Sequence, residues 1–170
     1  MKFLKSLGLL ALASITGANQ VIKRASLQQV PNFGANTSGT KMYIYVPNNM
    51  SAKPAIIVAI HYCTGTASGY YQNTPYAQLA EQYGFIVIYP ESPYSGTCWD
   101  VSSTAALTHN GGADSNSIAN MVTYTLNTYN GDASKVFVTG SSSGAMMTVR
   151  VVPPDSYSEL LLLTCPSRTS

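Results

Sequence analysis

The chain has 170 residues, enough for one domain with a real core; 45% are hydrophobic and only 9% are charged. Twelve tyrosines, with Ser, Thr and Asn, supply the polar surface, which suits neutral polar partners and excludes nucleic acid, whose binders cluster Lys and Arg. The formal charge of +2 arises at the N-terminus: Lys2, Lys5, Lys23 and Arg24 precede residue 25, and the chain from Ala25 on is slightly acidic.

Lys2 and Lys5 lead into an apolar stretch at 6–15, and Thr16, Gly17 and Ala18 are small enough for cleavage. This is the pattern of a secretory signal peptide over 1–18. The stretch is shorter than the roughly 20 apolar residues of a membrane span. Lys23-Arg24 reads as a dibasic processing site, which makes 19–24 a propeptide and starts the mature chain near Ala25. Export permits disulfides. The cysteines are Cys63, Cys98 and Cys165, so one is left over. Asn36-Thr37-Ser38 and Asn49-Met50-Ser51 have the form of glycosylation acceptors.

Residues 41–46 alternate, with Met42, Ile44 and Val46 on one face and Tyr43 and Tyr45 on the other, as in a half-buried strand. Residues 55–60 are continuously apolar, like a strand covered on both faces. A loop rich in Gly, Thr and Ser is expected over 61–69. Thr74-Pro75 has the order of an N-cap and a first-turn proline. Tyr76, Leu79, Ala80 and Tyr83 follow at helical spacing, and Gly84 suits the C-terminal stop. Residues 85–89 form a short strand stopped by Pro90. A loop carries Cys98, Trp99 and Asp100. Asp114 or Ser115 caps a second helix, faced by Ile118, Met121, Val122, Leu126 and Tyr129 and broken by Asn130-Gly131-Asp132. Residues 135–139 are the last strand. Alternation of strands and helices predicts an α/β fold with a parallel sheet covered on both sides, whose ligands bind at the carboxyl ends of the strands.

That last strand runs into Gly140-Ser141-Ser142-Ser143-Gly144 and then small, helix-compatible residues. This is the form of a nucleophile elbow, a sharp strand-to-helix turn that presents a serine. Ser142 is the candidate nucleophile, and Gly140 and Gly144 supply the missing bulk on either side. The backbone N–H of Ser143, at a helix N-terminus, is one candidate oxyanion donor. The loop after residue 60 has the position of the second donor, the N–H of Cys63 or its neighbour Thr64. The His61 side chain is expected to be a satisfied strand-end imidazole. The side chains of Cys63 and Cys98 can pair to pin this loop to the Trp99 loop, or stand as two thiols; the disulfide is the expectation. Cysteines and histidines lack metal-ligand spacing, so no metal is expected.

Taken as a set, His61-Tyr62-Cys63-Thr64-Gly65-Thr66, Ser92-Pro93-Tyr94, Cys98-Trp99-Asp100, Thr108-His109-Asn110-Gly111-Gly112 and the run from Val138 to Met147 resemble the fungal acetylxylan esterases of carbohydrate esterase family 1. Feruloyl esterases and polyhydroxyalkanoate depolymerase-like proteins share that fold. The resemblance runs over about 26–148. It implies an α/β-hydrolase fold and cofactor-free hydrolysis of acetyl esters on xylan, with feruloyl or other carboxylic esters as the alternative. It puts the nucleophile at Ser142, the oxyanion donors at Cys63 and Ser143, and Trp99 in the substrate cleft, with a core anchor as the alternative for that side chain. The implied partner is an acetylated plant cell-wall polysaccharide rather than nucleic acid or membrane, and the expected protein is a secreted monomer.

The resemblance ends near Thr148. Residues 25–148 correspond to the N-terminal part of a hydrolase domain, and 149–170 read as an aberrant tail, with Pro153-Pro154 ending any helix. In α/β-hydrolases the acid and then the histidine follow the serine. No histidine follows Ser142 here, so neither base nor acid is identifiable, and a catalytically inactive product is the remaining alternative. His109 is not expected to substitute. The elbow strand is expected to form an exposed edge in a sheet incomplete at its C-terminal side.

Overall fold

The structure, a computed structural model, describes residues 25–108, 110–151 and the backbone of 163–164. The expected signal peptide, propeptide, His109, Cys165 and most of the tail lie outside the described residues.

The strands are Gln28–Val30 (β1), Lys41–Tyr45 (β2), Ile56–Ile60 (β3), Ile86–Glu91 (β4), Val136–Gly140 (β5) and Leu163–Thr164 (β6). They form one sheet in the order β1-β2-β4-β3-β5-β6. β1, β2 and β4 pair antiparallel; β4, β3, β5 and β6 are parallel to one another. The helices are Ala67–Asn73 (α1), Tyr76–Tyr83 (α2), Thr104–Leu107 (α3), Asp114–Tyr129 (α4) and Ser143–Val151 (α5).

The unbroken apolar run of β3 has a physical reason. Ile56, Val58 and Ile60 enter a core with Ile118 and Met121 of α4 and Met147 of α5. Ala59 faces the other side, with Ala67 and Tyr70 of α1 and Ala80 of α2. Both faces are thus dry, and each apolar side chain gains roughly 1.5–3 kcal/mol from burial. The alternation in β2 also holds, but Tyr45 is buried as well as Met42 and Ile44. Its hydroxyl donates to Glu81 Oε1 of α2 at 2.7 Å, which satisfies the polar tip.

Five expectations change. The 61–69 loop ends early, because Thr66 caps α1 by accepting the Gly69 N–H at 2.9 Å. Thr74 closes α1 rather than opening α2; its hydroxyl donates back to the Tyr70 carbonyl at 2.6 Å. β4 runs through Pro90 to Glu91, because its pairing with β3 ends at Ile88 and only the β2 ladder remains beyond. The elbow strand is not a wholly open edge: Thr139 and Gly140 of β5 pair with Leu163 and Thr164 of β6. The helix over residues 114–129 follows the predicted stripe, but Ala113 holds the N-cap position and the Asp114 side chain is engaged elsewhere.

Candidate active site

β5 ends at Gly140 and α5 begins at Ser143, so the chain reverses within two residues. Ser142 sits at the apex with φ of 52°, a left-handed conformation unfavourable for a residue with a side chain. The turn is held by the Gly144 N–H on the Ser141 carbonyl at 2.9 Å and the Met146 N–H on the Ser142 carbonyl at 3.1 Å. Both flanking glycines are required by space. A Cβ on Gly140 would lie 2.5 Å from the Gly144 carbonyl group, and one on Gly144 would lie 2.4 Å from the Ile60 oxygen and 2.5 Å from the His61 oxygen. Ser142 is exposed at the carboxyl end of the sheet.

The last rung between β3 and β5 joins Ile60 to Gly140, so the 61–65 loop leaves the sheet beside the elbow. The Thr64 N–H donates to the Gly96 carbonyl at 2.7 Å and is unavailable to a ligand. The Cys63 N–H makes no hydrogen bond among the described residues. Ser143 opens α5, so its N–H has no carbonyl a turn earlier in the helix to bond. These two donors lie on the two elements that converge at Ser142.

A clasp fixes the loop. Cys63 and Cys98 form a disulfide with Cα atoms 4.1 Å apart. Beside it, the Thr97 hydroxyl donates to the Gly65 carbonyl at 2.8 Å. The His61 imidazole is fully buried with both nitrogens engaged: Nδ1–H donates to the Tyr62 carbonyl at 2.7 Å, and Nε2 accepts the Ser92 N–H at 3.2 Å. Burial pushes its pKa below the usual histidine value, so the ring is neutral and locked, and it is no base for Ser142.

Of the two places expected for Trp99, cleft and core, its side chain packs in the core. It is 4% exposed, packs 5.0 Å from the His61 ring and donates its indole N–H to the His61 carbonyl at 2.8 Å. Its hydrogen bond holds the start of the 61–65 loop.

Two residues were not legible as contributors. Tyr70 on α1 places its hydroxyl 3.1 Å from Ser141 Oγ, buttressing the residue before Ser142. Asp114, read as a cap, is a buried hub: Oδ1 accepts from Thr40 and Tyr94, and Oδ2 from the Asp100 N–H at 3.1 Å. It ties the Trp99 loop to Thr40, the residue that leads into β2. Only the Asp-Ser pair at a helix start hinted at it. Among the described residues no cluster of three or more His, Cys, Asp or Glu side chains has metal-binding geometry.

Residues 40–158 match the esterase PHB depolymerase family. The chain belongs to that family. Over 142 residues it is 74% identical to "probable acetylxylan esterase A" of Neosartorya fischeri, covering 82% of this chain and 39% of the relative. Over 130 residues it is 74% identical to acetylxylan esterase A of Talaromyces purpureogenus, covering 76% and 34%. The solved acetyl xylan esterase from Aspergillus awamori superposes with a TM-score of 0.76 at 66% identity, over 79% of this chain and 50% of that one. The chain thus spans between about a third and two fifths of the length of these curated relatives. The fold is that of the α/β-hydrolases. No helix among the described residues is long and apolar enough to cross a membrane.

Proposed function

We propose that this chain carries the nucleophile and oxyanion hole of a secreted serine carboxylesterase that removes acetyl groups from xylan. The observation that carries the reading is the strained Ser142 on a turn where Gly140 and Gly144 have no room for a side chain. In the first step Ser142 Oγ attacks the acetyl carbonyl carbon. The carbonyl oxygen gains the charge and is met by the Cys63 and Ser143 N–H groups, whose alignment needs no reorganisation during the reaction. Collapse expels the xylose oxygen and leaves an acetyl-serine, which water then hydrolyses.

The attack requires a group that takes the Ser142 proton. His61 is locked, and His109, the other histidine in the sequence, precedes Ser142, whereas the base of α/β-hydrolases follows the nucleophile. The 170-residue chain alone is therefore expected to hydrolyse acetyl esters at or near background, leaving the trace that an oxyanion hole supports. Added imidazole supplies the missing base. Incubation with 4-nitrophenyl acetate and imidazole, followed by mass spectrometry, is expected to find acetyl on the Ser142 peptide and none in Ser142→Ala. Acetyl elsewhere only would overturn the nucleophile assignment, and fast turnover without imidazole, lost in Ser142→Ala, would overturn the absence of a base.

Acetylated xylan is the proposed partner because the relatives named above are acetylxylan esterases and the surface is poor in charge; feruloyl esters are the alternative within the same chemistry. Asn36 and Asn49 are both exposed, which is compatible with glycans on an exported monomer. The Asn36 amide donates to the Thr40 carbonyl at 2.8 Å, which leaves Asn49 the less constrained acceptor.

A further inference from the structure

With Trp99 buried, another aromatic side chain has to be sought at the open end of the sheet. Tyr62 lies between His61 and Cys63, inside the loop that offers the oxyanion donor. Its main chain is fixed from two sides, since its carbonyl accepts from His61 Nδ1 and from the Gly65 N–H at 3.0 Å. Its ring meets the Tyr70 ring edge-on, with centroids 6.4 Å apart and planes at 74°. The Tyr70 hydroxyl in turn touches Ser141, the residue before the nucleophile. Yet Tyr62 remains 43% exposed. Tyr94 is similarly exposed at 41%, but it stands on the 92–98 loop with its hydroxyl directed to Asp114. Tyr62 is thus a large ring on a fixed backbone, steadied by Tyr70 and open to solvent, on the loop beside Ser142.

We propose that Tyr62 is the platform on which a sugar ring of the substrate stacks while the ester carbonyl reaches Ser142. A pyranose presents a face of C–H groups, and an aromatic face is its natural complement. The sparsely charged surface adds nothing that would favour an ionic ligand instead. This inference rests on the acetylxylan reading and adds the residue that recognises the sugar.

The test uses the full chain carrying Ser142→Ala, so that no turnover intervenes, and an acetylated xylo-oligosaccharide titrated by calorimetry. Tyr62→Ala is expected to weaken binding about tenfold, the order expected for losing one stacked ring. Tyr62→Phe and Tyr62→Trp are expected to retain affinity within about threefold, because the ring and not the hydroxyl makes the contact. Tyr83→Ala, which removes a 63% exposed ring on α2, is expected to change nothing. Thermal melts confirm that each variant is folded. If Tyr62→Ala binds as well as its parent, the platform is refuted and the substrate reading stands. If Tyr62→Phe falls as far as Tyr62→Ala, the hydroxyl makes the contact and stacking is refuted. If the parent does not bind the oligosaccharide although Ser142 takes acetyl from 4-nitrophenyl acetate, the substrate reading fails, the platform fails with it, and the nucleophile assignment survives.

Discussion

Gly144→Ala tests the elbow most directly. The new methyl would sit 2.4 Å from the Ile60 carbonyl oxygen, where ordinary contact begins near 3.4 Å, so α5 and β3 must part by about 1 Å. Neither side yields easily, since the obstacle is backbone on a strand paired on both edges. The Ile60 oxygen also accepts the Ser141 N–H at 3.3 Å, and separation breaks that already long hydrogen bond. Overpacking costs about 1–3 kcal/mol and the lost hydrogen bond about 1, while alanine recovers up to about 1 through helix propensity. The net loss is roughly 1–4 kcal/mol, which for a chain of this size lowers the melting temperature by about 2–16 °C. Urea denaturation followed through the single tryptophan should show a midpoint lower by about 0.5–2 M, taking a slope near 2 kcal/mol/M. Gly69→Ala on α1 is the comparison, because its nearest contact is the flexible Thr66 hydroxyl at 3.2 Å. A Gly144→Ala protein that melts with the wild type would refute the reasoning, since the close approach of α5 to β3 would then not be obligatory.

Cys98→Ser opens the clasp over a separation of 35 residues, and the chain-entropy relation puts the loss at about 4 kcal/mol, read as a fall in urea midpoint. An unchanged midpoint would mean that the bond is not formed in solution. His61→Gln should flatten the acid limb of the stability profile. The folded pKa of His61 lies below its unfolded value, so the unfolded chain binds the extra proton; stability is full above about pH 6.5 and falls as pH drops toward the folded pKa. Melts between pH 7.5 and 5 check this, and equal slopes in the two proteins would sink it. Ser143→Ala removes a buried hydroxyl that has no hydrogen-bond partner among the described residues, while keeping the N–H assigned to the oxyanion. It should leave the melting temperature unchanged or raise it, since an unsatisfied buried polar group costs about 1–3 kcal/mol.

Much of this architecture was legible where one periodicity dominates. Residues 55–60 declared a strand buried on both faces, and the stripe from Ile118 to Tyr129 declared a helix. The elbow was legible because strain and crowding leave few residue types able to occupy it. Where a side chain had two possible settings, the sequence left the choice open. Thr74 could cap the following helix or close the preceding one, and only the position of the Tyr70 carbonyl decides. Asp114 could bond its own helix or the Trp99 loop. Trp99 could face solvent or core, and the deciding partner, the His61 carbonyl, is 38 residues away. Long-range pairing of this kind leaves no local pattern. The ring exposed at Tyr62 belongs to the same class, since it depends on where α1 lies.

The position of β3 in the sheet also sets an order of events during synthesis. Its neighbours are β4, whose pairing begins 30 residues later, and β5, which arrives 80 residues later. Until β5 emerges from the ribosome, one edge of β3 is unpaired and the loop after Ile60 has no elbow to pack against. Oxidation of Cys63 with Cys98 can occur before that point. The disulfide therefore can close around a loop whose final setting is fixed only afterwards. Such non-local pairing slows folding. A pulse-chase in an oxidising lumen would be expected to show the crosslink before protease resistance.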